Sequence, residues 1–133
     1  MVLQYVLNAT GEQRVKDALN KGYQYYLKNF FLSDGTVKYY HNKTEPLDVH
    51  AFANAVIFLV GMDSHRATPQ TLVHKVVDQM ISKFWNPKGY FYWQKKRGIM
   101  YKLPCMRWVQ SWALLALASY LTLDTKQYFP YDP

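Results

Sequence analysis

The sequence predicts an all-α fold made of two α/α hairpin repeats: four helices that form a partial α/α toroid, with short aromatic β-like turns. Apolar residues recur at helical spacing in four segments of the chain. The first and third segments are each followed by an aromatic stretch that contains a glycine. This order of features occurs twice, which indicates an internal repeat.

The first predicted hairpin begins at Thr10, where "TGEQ" places a hydroxyl three residues before Gln13 in the pattern of a capping box. Its first helix ends at "LSDGT". The second helix follows Pro46 and runs through "LDVHAFANAVIFLV" to Gly61. The stripe predicted to face the core of the first helix is Val15, Ala18, Leu19, Tyr23, Tyr26, Leu27 and Phe30.

The second predicted hairpin begins with Thr68 as the helix cap and Pro69 at the first helical position. The fourth helix begins near Pro104 and ends near Leu121. The apolar stripe of the third helix is Leu72, Val73, Val76, Val77, Met80, Ile81 and Phe84.

The repeat aligns Gly35 with Gly89. This register matches Phe30 with Phe84, Phe31 with Trp85 and Tyr39 with Trp93. We therefore predict one domain, residues 1–133, that contains a repeat of about residues 11–61 and 69–122. Repeated helical hairpins bury their apolar faces on each other, with the second and fourth helices as the inner layer.

The charge favours anionic partners. The chain of 133 residues carries a formal net charge of +7, and its pI is near 9.4. Lysine and arginine are spread along the sequence and no nucleic-acid-binding motif is present, so nucleic acid is the partner least favoured. We interpret the short run "QKKRG", residues 94–98, as a solvated turn.

The composition also suggests a compartment. Cys105 is the single cysteine, which favours a reducing environment, and no apolar run is long enough for a membrane span. No basic and apolar leader is evident at the N-terminus. We therefore expect a soluble cytoplasmic protein. Scattered histidines and a lone cysteine give no metal-ligand set, so no metal or cofactor is expected.

Two segments, "LDVHAFANAVIFL" and "GYFYWQKKRGIMYKLPCMRWVQSWALLAL", resemble the C-terminal portion of helical-hairpin proteins encoded among bacterial exopolysaccharide genes. That family has a similar Asp-x-His helix start and an Arg-Trp-x-Gln-x-Trp helix start, and the resemblance covers about residues 12–122. It implies a fold related to the α/α toroids of six-hairpin glycosidases and terpenoid-cyclase-like proteins. A closed toroid of that kind needs several times the length of this chain. A fragment, a short relative, and a subunit completed by a partner chain all remain open.

Polar residues gather at the starts of the two predicted inner helices, and by analogy with toroids these ends line a cavity. Proton abstraction from a uronic acid needs a base and a cation that neutralises the sugar carboxylate. The predicted catalytic residues are His50, Arg107 and Tyr92. The predicted substrate-binding residues are Asp48, Asn54, Trp93, Tyr40, Trp108 and Gln110, with the aromatic members suited to stacking on sugar rings.

Structural roles compete with each of these assignments. Asp48 suits a helix cap or an ion pair with Arg107, and His50 suits a buried, hydrogen-bonded histidine. Trp108 and Trp112 suit the core, and Gln110 requires a partner if it is buried.

Two functions follow from these observations. The first is a carbohydrate-associated protein of bacterial polysaccharide metabolism that binds or processes an acidic oligosaccharide. If it is an enzyme, a lyase, epimerase or glycosidase-like activity fits. The second is a non-catalytic assembly module, or a toroid fragment, that pairs with another chain. For either function, we expect a homo-oligomer or a partner chain that completes the toroid.

Overall fold

The computed structural model describes residues 2–63 and 70–125. Five α-helices occur in these ranges: α1 (Val2–Thr10), α2 (Gln13–Phe30), α3 (Val49–Asp63), α4 (Gln70–Phe84) and α5 (Ser111–Thr125). A π-helical turn, Met106–Gln110, leads directly into α5. The strands are β1 (Leu47–Asp48), β2 (Trp85–Asn86), β3 (Tyr90–Phe91), β4 (Gln94–Lys96) and β5 (Ile99–Tyr101).

The predicted all-α fold is wrong, because small antiparallel sheets accompany the helices. β1, β4 and β5 form a three-stranded sheet in that order, and β2 pairs with β3. β1 pairs with β4 in the register Leu47 opposite Lys95 and Asp48 opposite Gln94. The architecture is therefore mixed, and the arrangement is not clearly that of an α/α toroid. The spacing of apolar residues locates the helices. It does not show that two strands far apart in the sequence, such as β1 and β4, pair with each other.

Helix α3 is the centre of the core and packs against α4 and α5. Its buried apolar residues include Phe52, Ala53, Ala55, Val56, Leu59 and Met62, and others, such as Ile57 and Phe58, are half-buried. A helix that is hydrophobic on every face is stable only when other elements cover it. Buried residues of α4, among them Val76 and Met80, and Ala113 and Ala116 of α5 complete the cluster.

The N-terminal prediction needs a correction. Residues 2–10 form a separate helix, and Thr10 ends α1 instead of starting α2. The Thr10 hydroxyl donates to the Val6 carbonyl, and Gly11, at φ 65°, makes the break between the two helices. The capping box is therefore absent, and Glu12 precedes α2 without a side-chain cap. The caps predicted at Thr68 and Pro69 lie outside the described residues.

The two aromatic turns share one hydrogen-bonding pattern in the register that aligns Gly35 with Gly89. Phe30 accepts from Lys38 N–H, and Phe84 accepts from Tyr92 N–H, both at 2.8 Å. Gly35 and Gly89 each donate to the carbonyl three residues earlier, and both have positive φ, 88° and 91°. The turns therefore have the same local geometry, although only the second turn connects two β-strands, β2 and β3.

Candidate functional site

The sheet formed by β1, β4 and β5 borders a polar cleft of about 450 Å³. We call it the basic cleft. Its lining residues are Tyr39, Tyr40, Lys43, Glu45, Pro46, Gln94, Lys96 and Arg97. Three cations face one carboxylate in this lining, so the cleft favours an anionic ligand. Its volume lies within the usual range of small-ligand sites.

Two tyrosines form the aromatic side of the basic cleft. Tyr39 and Tyr40 are each 45% exposed, and their rings meet edge to face with centroids 4.8 Å apart. The Lys43 ammonium lies 4.3 Å from the centre of the Tyr40 ring, within cation–π range. An antiparallel bridge between Tyr40 and Lys43 holds this short segment together. A flat aromatic face and a cation are therefore presented side by side.

Arg97 occupies an unusual backbone conformation at the opposite edge. It has φ 51°, the only positive φ at a non-glycine residue in the described ranges, and is followed by Gly98 at φ 77°. These two residues form the tight turn between β4 and β5, so the turn predicted for this basic run is present. The Arg97 N–H donates to Glu45 Oε2 at 2.7 Å. Glu45 therefore ties the turn to the segment that carries the tyrosines.

Asp48 connects the cleft to α3. Its carboxylate accepts from the backbone N–H of His50 and from Gln94 Nε2, each at 2.9 Å. The first bond caps the start of α3, and the second bonds β1 to β4 through side chains as well as backbone. Both oxygens thus have partners, and between these described residues the alternative ion pair with Arg107 is not formed. Asp48 is buried, with 3% of its surface exposed.

The structure brings together three of the predicted site residues, His50, Asn54 and Trp108. The His50 ring lies against Trp108, with centroids 4.4 Å apart, and meets the edge of Trp112 at 5.1 Å. Asn54 Nδ2 lies 3.0 Å from His50 Nε2 and also donates to the His50 carbonyl. Burial lowers the pKa of His50, an effect that the Asp48 carboxylate opposes. We call His50, Asn54, Trp108 and Trp112 the histidine cluster.

One tryptophan of this cluster, Trp108, is not the core residue that one interpretation of the sequence expected. Trp108 is 54% exposed, whereas Trp112 is half-buried and packs against the core. The π-helical turn places Trp108 on the surface beside His50, while Val109 is the residue of that turn that enters the core. Trp108 therefore has a free face available to a ligand or a partner.

Gln110 has a structural role. Its amide oxygen accepts from the Phe91 N–H at 2.9 Å, and its amide nitrogen donates to the Phe91 carbonyl at 2.8 Å. These two bonds replace the strand partner that β3 lacks on that side and fix it against the start of α5. Polar groups that are removed from water need hydrogen-bond partners, and both ends of the half-buried Gln110 amide have one.

The other predicted site residues lie apart from the histidine cluster. Arg107 is exposed, and the Tyr92 hydroxyl accepts from Asn86 Nδ2 at 2.9 Å. Within the described ranges, no hydrogen bond or ring contact joins either residue to His50. The indole nitrogen of Trp93 is buried and has no hydrogen-bond partner in the same part of the chain. The catalytic roles of His50, Arg107 and Tyr92 stay predictions.

A second groove, of about 700 Å³, is mostly apolar. It lies between the N-terminal helices and the centre of the core, and its polar members are the Asn54 amide and the hydroxyls of Tyr23 and Tyr26. Burial raises the pKa of Tyr26 to about 12, so its phenol stays neutral. The lining residues are Val2, Leu3, Leu19, Gly22, Tyr23, Tyr26, Asn54, Ile57, Phe58 and Trp112.

Residues 2–63 and 70–125 contain no group of three or more His, Cys, Asp or Glu side chains placed to hold a metal ion. None of their helices is long and apolar enough to cross a membrane.

Comparisons of the chain with protein-family models, with curated proteins and with solved structures gave no match. The resemblance to exopolysaccharide-associated proteins therefore stays a prediction from the sequence.

Sequence analysis selected Tyr40 from the basic cleft but missed its three cations as site residues. Lys43 lies on one side of the cleft, and Lys96 and Arg97 lie on the other, so only the pairing of β1 with β4 brings them together. One pattern in the sequence pointed to Arg97. It is an Arg-Gly pair between two alternating stretches, as in a tight hairpin turn. Such a turn requires a positive φ at Arg97, which arginine rarely adopts.

Proposed function

We propose that this chain binds an acidic oligosaccharide in the basic cleft. One observation carries the proposal: two exposed tyrosines and three cations converge on a single cleft of about 450 Å³. The chemistry of a uronic-acid unit matches this lining. The apolar face of its ring suits a tyrosine, and its carboxylate suits a guanidinium or an ammonium.

The Arg97 turn gives further support. A non-glycine residue at positive φ costs stability, and such residues cluster at sites where the strained geometry has a use. Here the backbone N–H of Arg97 is held by Glu45, which fixes the turn independently of the guanidinium. The Arg97 guanidinium is therefore left to interact with a ligand. The backbone contact with Glu45 keeps the Arg97 Cα at the edge of the cleft.

Binding, and not turnover, is the activity that this lining favours. His50, Arg107 and Tyr92 are not among its residues, and its one carboxylate, that of Glu45, already accepts the Arg97 N–H. A general base must reach the proton that it removes, directly or through one water. The proposal therefore assigns recognition of the glycan to the basic cleft and leaves uronate processing as a role for the histidine cluster to be tested separately.

Isothermal titration with an oligogalacturonate tests the proposal, with a neutral oligoglucose of equal length as the ligand control. We expect binding of the uronate oligomer that weakens with salt, and no binding of the neutral one. Arg97→Asn removes the cation but keeps a residue that tolerates positive φ, and it should weaken binding about tenfold or more. Lys16→Ala removes an exposed cation on α2, outside the cleft, and should leave binding unchanged.

Three outcomes would overturn the proposal. The uronate oligomer fails to bind, Arg97→Asn and Lys16→Ala weaken binding equally, or single-stranded RNA binds more tightly than the glycan and does so independently of Arg97. The second outcome would mean that net charge alone attracts the ligand.

A second candidate function, an assembly module, is favoured by a different observation. Several large apolar side chains of α5 and of the turn before it are exposed: Met106, Trp108, Leu114, Leu115 and Leu121. A partner chain, or a second copy of this one, would cover them.

A further inference from the structure

Helix α5 has no charged residue between Ser111 and Leu123, and most of its side chains there are apolar. One side, with Ala113 and Ala116 buried against the core, packs inside the molecule. The opposite side holds Leu114, which is 70% exposed, and Leu121, which is 68% exposed. These two leucines are seven residues apart and share a face of the helix.

Leu115, which is 42% exposed, and the half-buried Ala118 complete this surface, which we call the α5 stripe: Leu114, Leu115, Ala118 and Leu121. Isolated exposed leucines are common on protein surfaces and need no explanation. A row of them on a helix that lacks charge is different, because surface helices carry polar residues on the face that meets water.

We propose that the α5 stripe binds the α5 stripe of a second copy of this chain, in an antiparallel pair around a two-fold axis at Ala118. The order of side chains is suited to this arrangement. Leu114 lies four residues before Ala118 and Leu121 lies three residues after it. An antiparallel copy therefore brings Leu114 of one protomer beside Leu121 of its partner, displaced by one residue along the helix, and the small alanine lets the two helices approach closely.

The charge distribution supports self-association at this surface. Two copies with a formal charge of +7 each repel one another, and the repulsion is smallest where neither surface carries a charge. Helix α5 provides such a surface from Ser111 to Leu123. The basic cleft, with Lys43, Lys96 and Arg97, is the opposite case, since two copies facing each other there would bring like charges together.

The exposed area is that of a weak, reversible dimer. Leu114, Leu115, Ala118 and Leu121 present on the order of 350 Å² of apolar surface per copy. Two copies would bury roughly 700 Å² of it, which is below the range for stable specific interfaces. The dimer is therefore expected to be dissociated at low micromolar concentration and to form toward high micromolar concentration.

Sedimentation equilibrium from low to high micromolar protein, without glycan, measures the dimer directly. The mass should rise from the 15.7 kDa of one chain toward twice that value. Leu121→Glu places two carboxylates in the interface and should raise the dissociation constant about 100-fold or more. Ile81→Glu makes the same chemical change at a residue of α4 that is 41% exposed, and it should leave the constant unchanged.

A cross-linking experiment tests the position of the axis. In a Cys105→Ser background, Ala118→Cys should form a disulfide-linked dimer under mild oxidation, because a residue on the axis meets its own copy. Ile81→Cys in the same background should not. Circular dichroism of every variant checks that the helices are retained, as expected for substitutions at solvent-facing side chains.

A mass of one chain at every concentration would overturn the proposal, and the α5 stripe would then have a different occupant. A dimer that Leu121→Glu and Ile81→Glu weaken equally, or one that Ala118→Cys fails to cross-link, would place the interface elsewhere. None of these results depends on whether the basic cleft binds a glycan.

Discussion

Gly35 and Gly89 provide a matched pair of substitutions at equivalent turns. Both have φ near +90°, so replacement by alanine forces an unfavourable backbone conformation at either position. They differ in what surrounds them. A Cβ at Gly89 would meet nothing within 4 Å, whereas a Cβ at Gly35 would lie 2.5 Å from Lys75 Cβ and 2.6 Å from the Lys75 carbonyl carbon. The first turn packs directly on the backbone of α4.

The magnitude of each effect follows from these contacts. Backbone strain at positive φ costs about 1–3 kcal/mol and applies to both variants. Carbon atoms pack best at about 3.5–4.0 Å, so the turn around Gly35 has to move by about 1 Å from α4 to accept a methyl group. Forcing extra atoms into a packed region costs typically about 1–3 kcal/mol. We therefore expect Gly35→Ala to lower the free energy of unfolding by about 2–6 kcal/mol, and Gly89→Ala by about 1–3 kcal/mol.

Urea denaturation followed by tryptophan fluorescence measures both values. The difference between the two variants isolates the steric term, because the strain term is common to them. Equal losses for Gly35→Ala and Gly89→Ala would refute the close approach of the first turn to α4. An unchanged slope of the unfolding free energy against urea is needed for the comparison, since a changed slope would mean that the unfolded or native state itself differs.

Two further substitutions test the histidine cluster and the β3 contact. Because burial lowers the pKa of His50, its stabilising effect is full above the unfolded value of about 6.5 and is lost as pH falls through the folded pKa. Stability measured by urea midpoint should therefore fall on acidification below about pH 6.5, and His50→Gln should reduce that dependence. Gln110→Met leaves the N–H and carbonyl of buried Phe91 without their partners, and should lower the unfolding free energy by about 2–4 kcal/mol in the same urea assay.

Each of these predictions has a control. For the first prediction the unsubstituted protein is the control: an equal loss of stability on acidification with and without the His50 imidazole would contradict the role of burial at His50. Gln24→Met, on the exposed face of α2, should change stability by less than about 0.5 kcal/mol. A loss at Gln110 no larger than this would mean that water replaces the amide at Phe91.

Local sequence patterns predicted the local structure well. The stripe of the third predicted helix contains Val73, Val76, Val77 and Met80, all buried in α4, and "LDVHAFANAVIFLV" lies within β1 and α3. Asp48 serves as the helix cap that its position suggested. Such predictions succeed because a helix and its cap depend on neighbours within four residues.

Two of the failures came from interactions between distant residues. Helix α1 has no charged residue and three β-branched residues, and its Leu7 packs against Leu19, Tyr23 and Met62, which no local pattern reveals. The sheet was missed because β1 contains two residues and pairs with a strand more than forty residues later. Trp108 looked like a core residue by composition, but the π-helical turn rotates it to the surface. The errors at α1 and the sheet concern contacts between remote segments, whereas those at Trp108 and at the Thr10 cap come from local backbone geometry.

The pairing of β1 with β4 has a consequence for how the basic cleft comes into existence. The tyrosines and Lys43 belong to the segment before β1, while Lys96 and Arg97 belong to the strand and turn that close against it. The Val49 N–H to Trp93 carbonyl bond and the Asp48 to Gln94 bond join these two segments. Neither segment alone carries the whole lining of the cleft, so the binding site that we propose forms only when these two segments of the chain pack together. Occupancy of the cleft would in turn hold the two segments together.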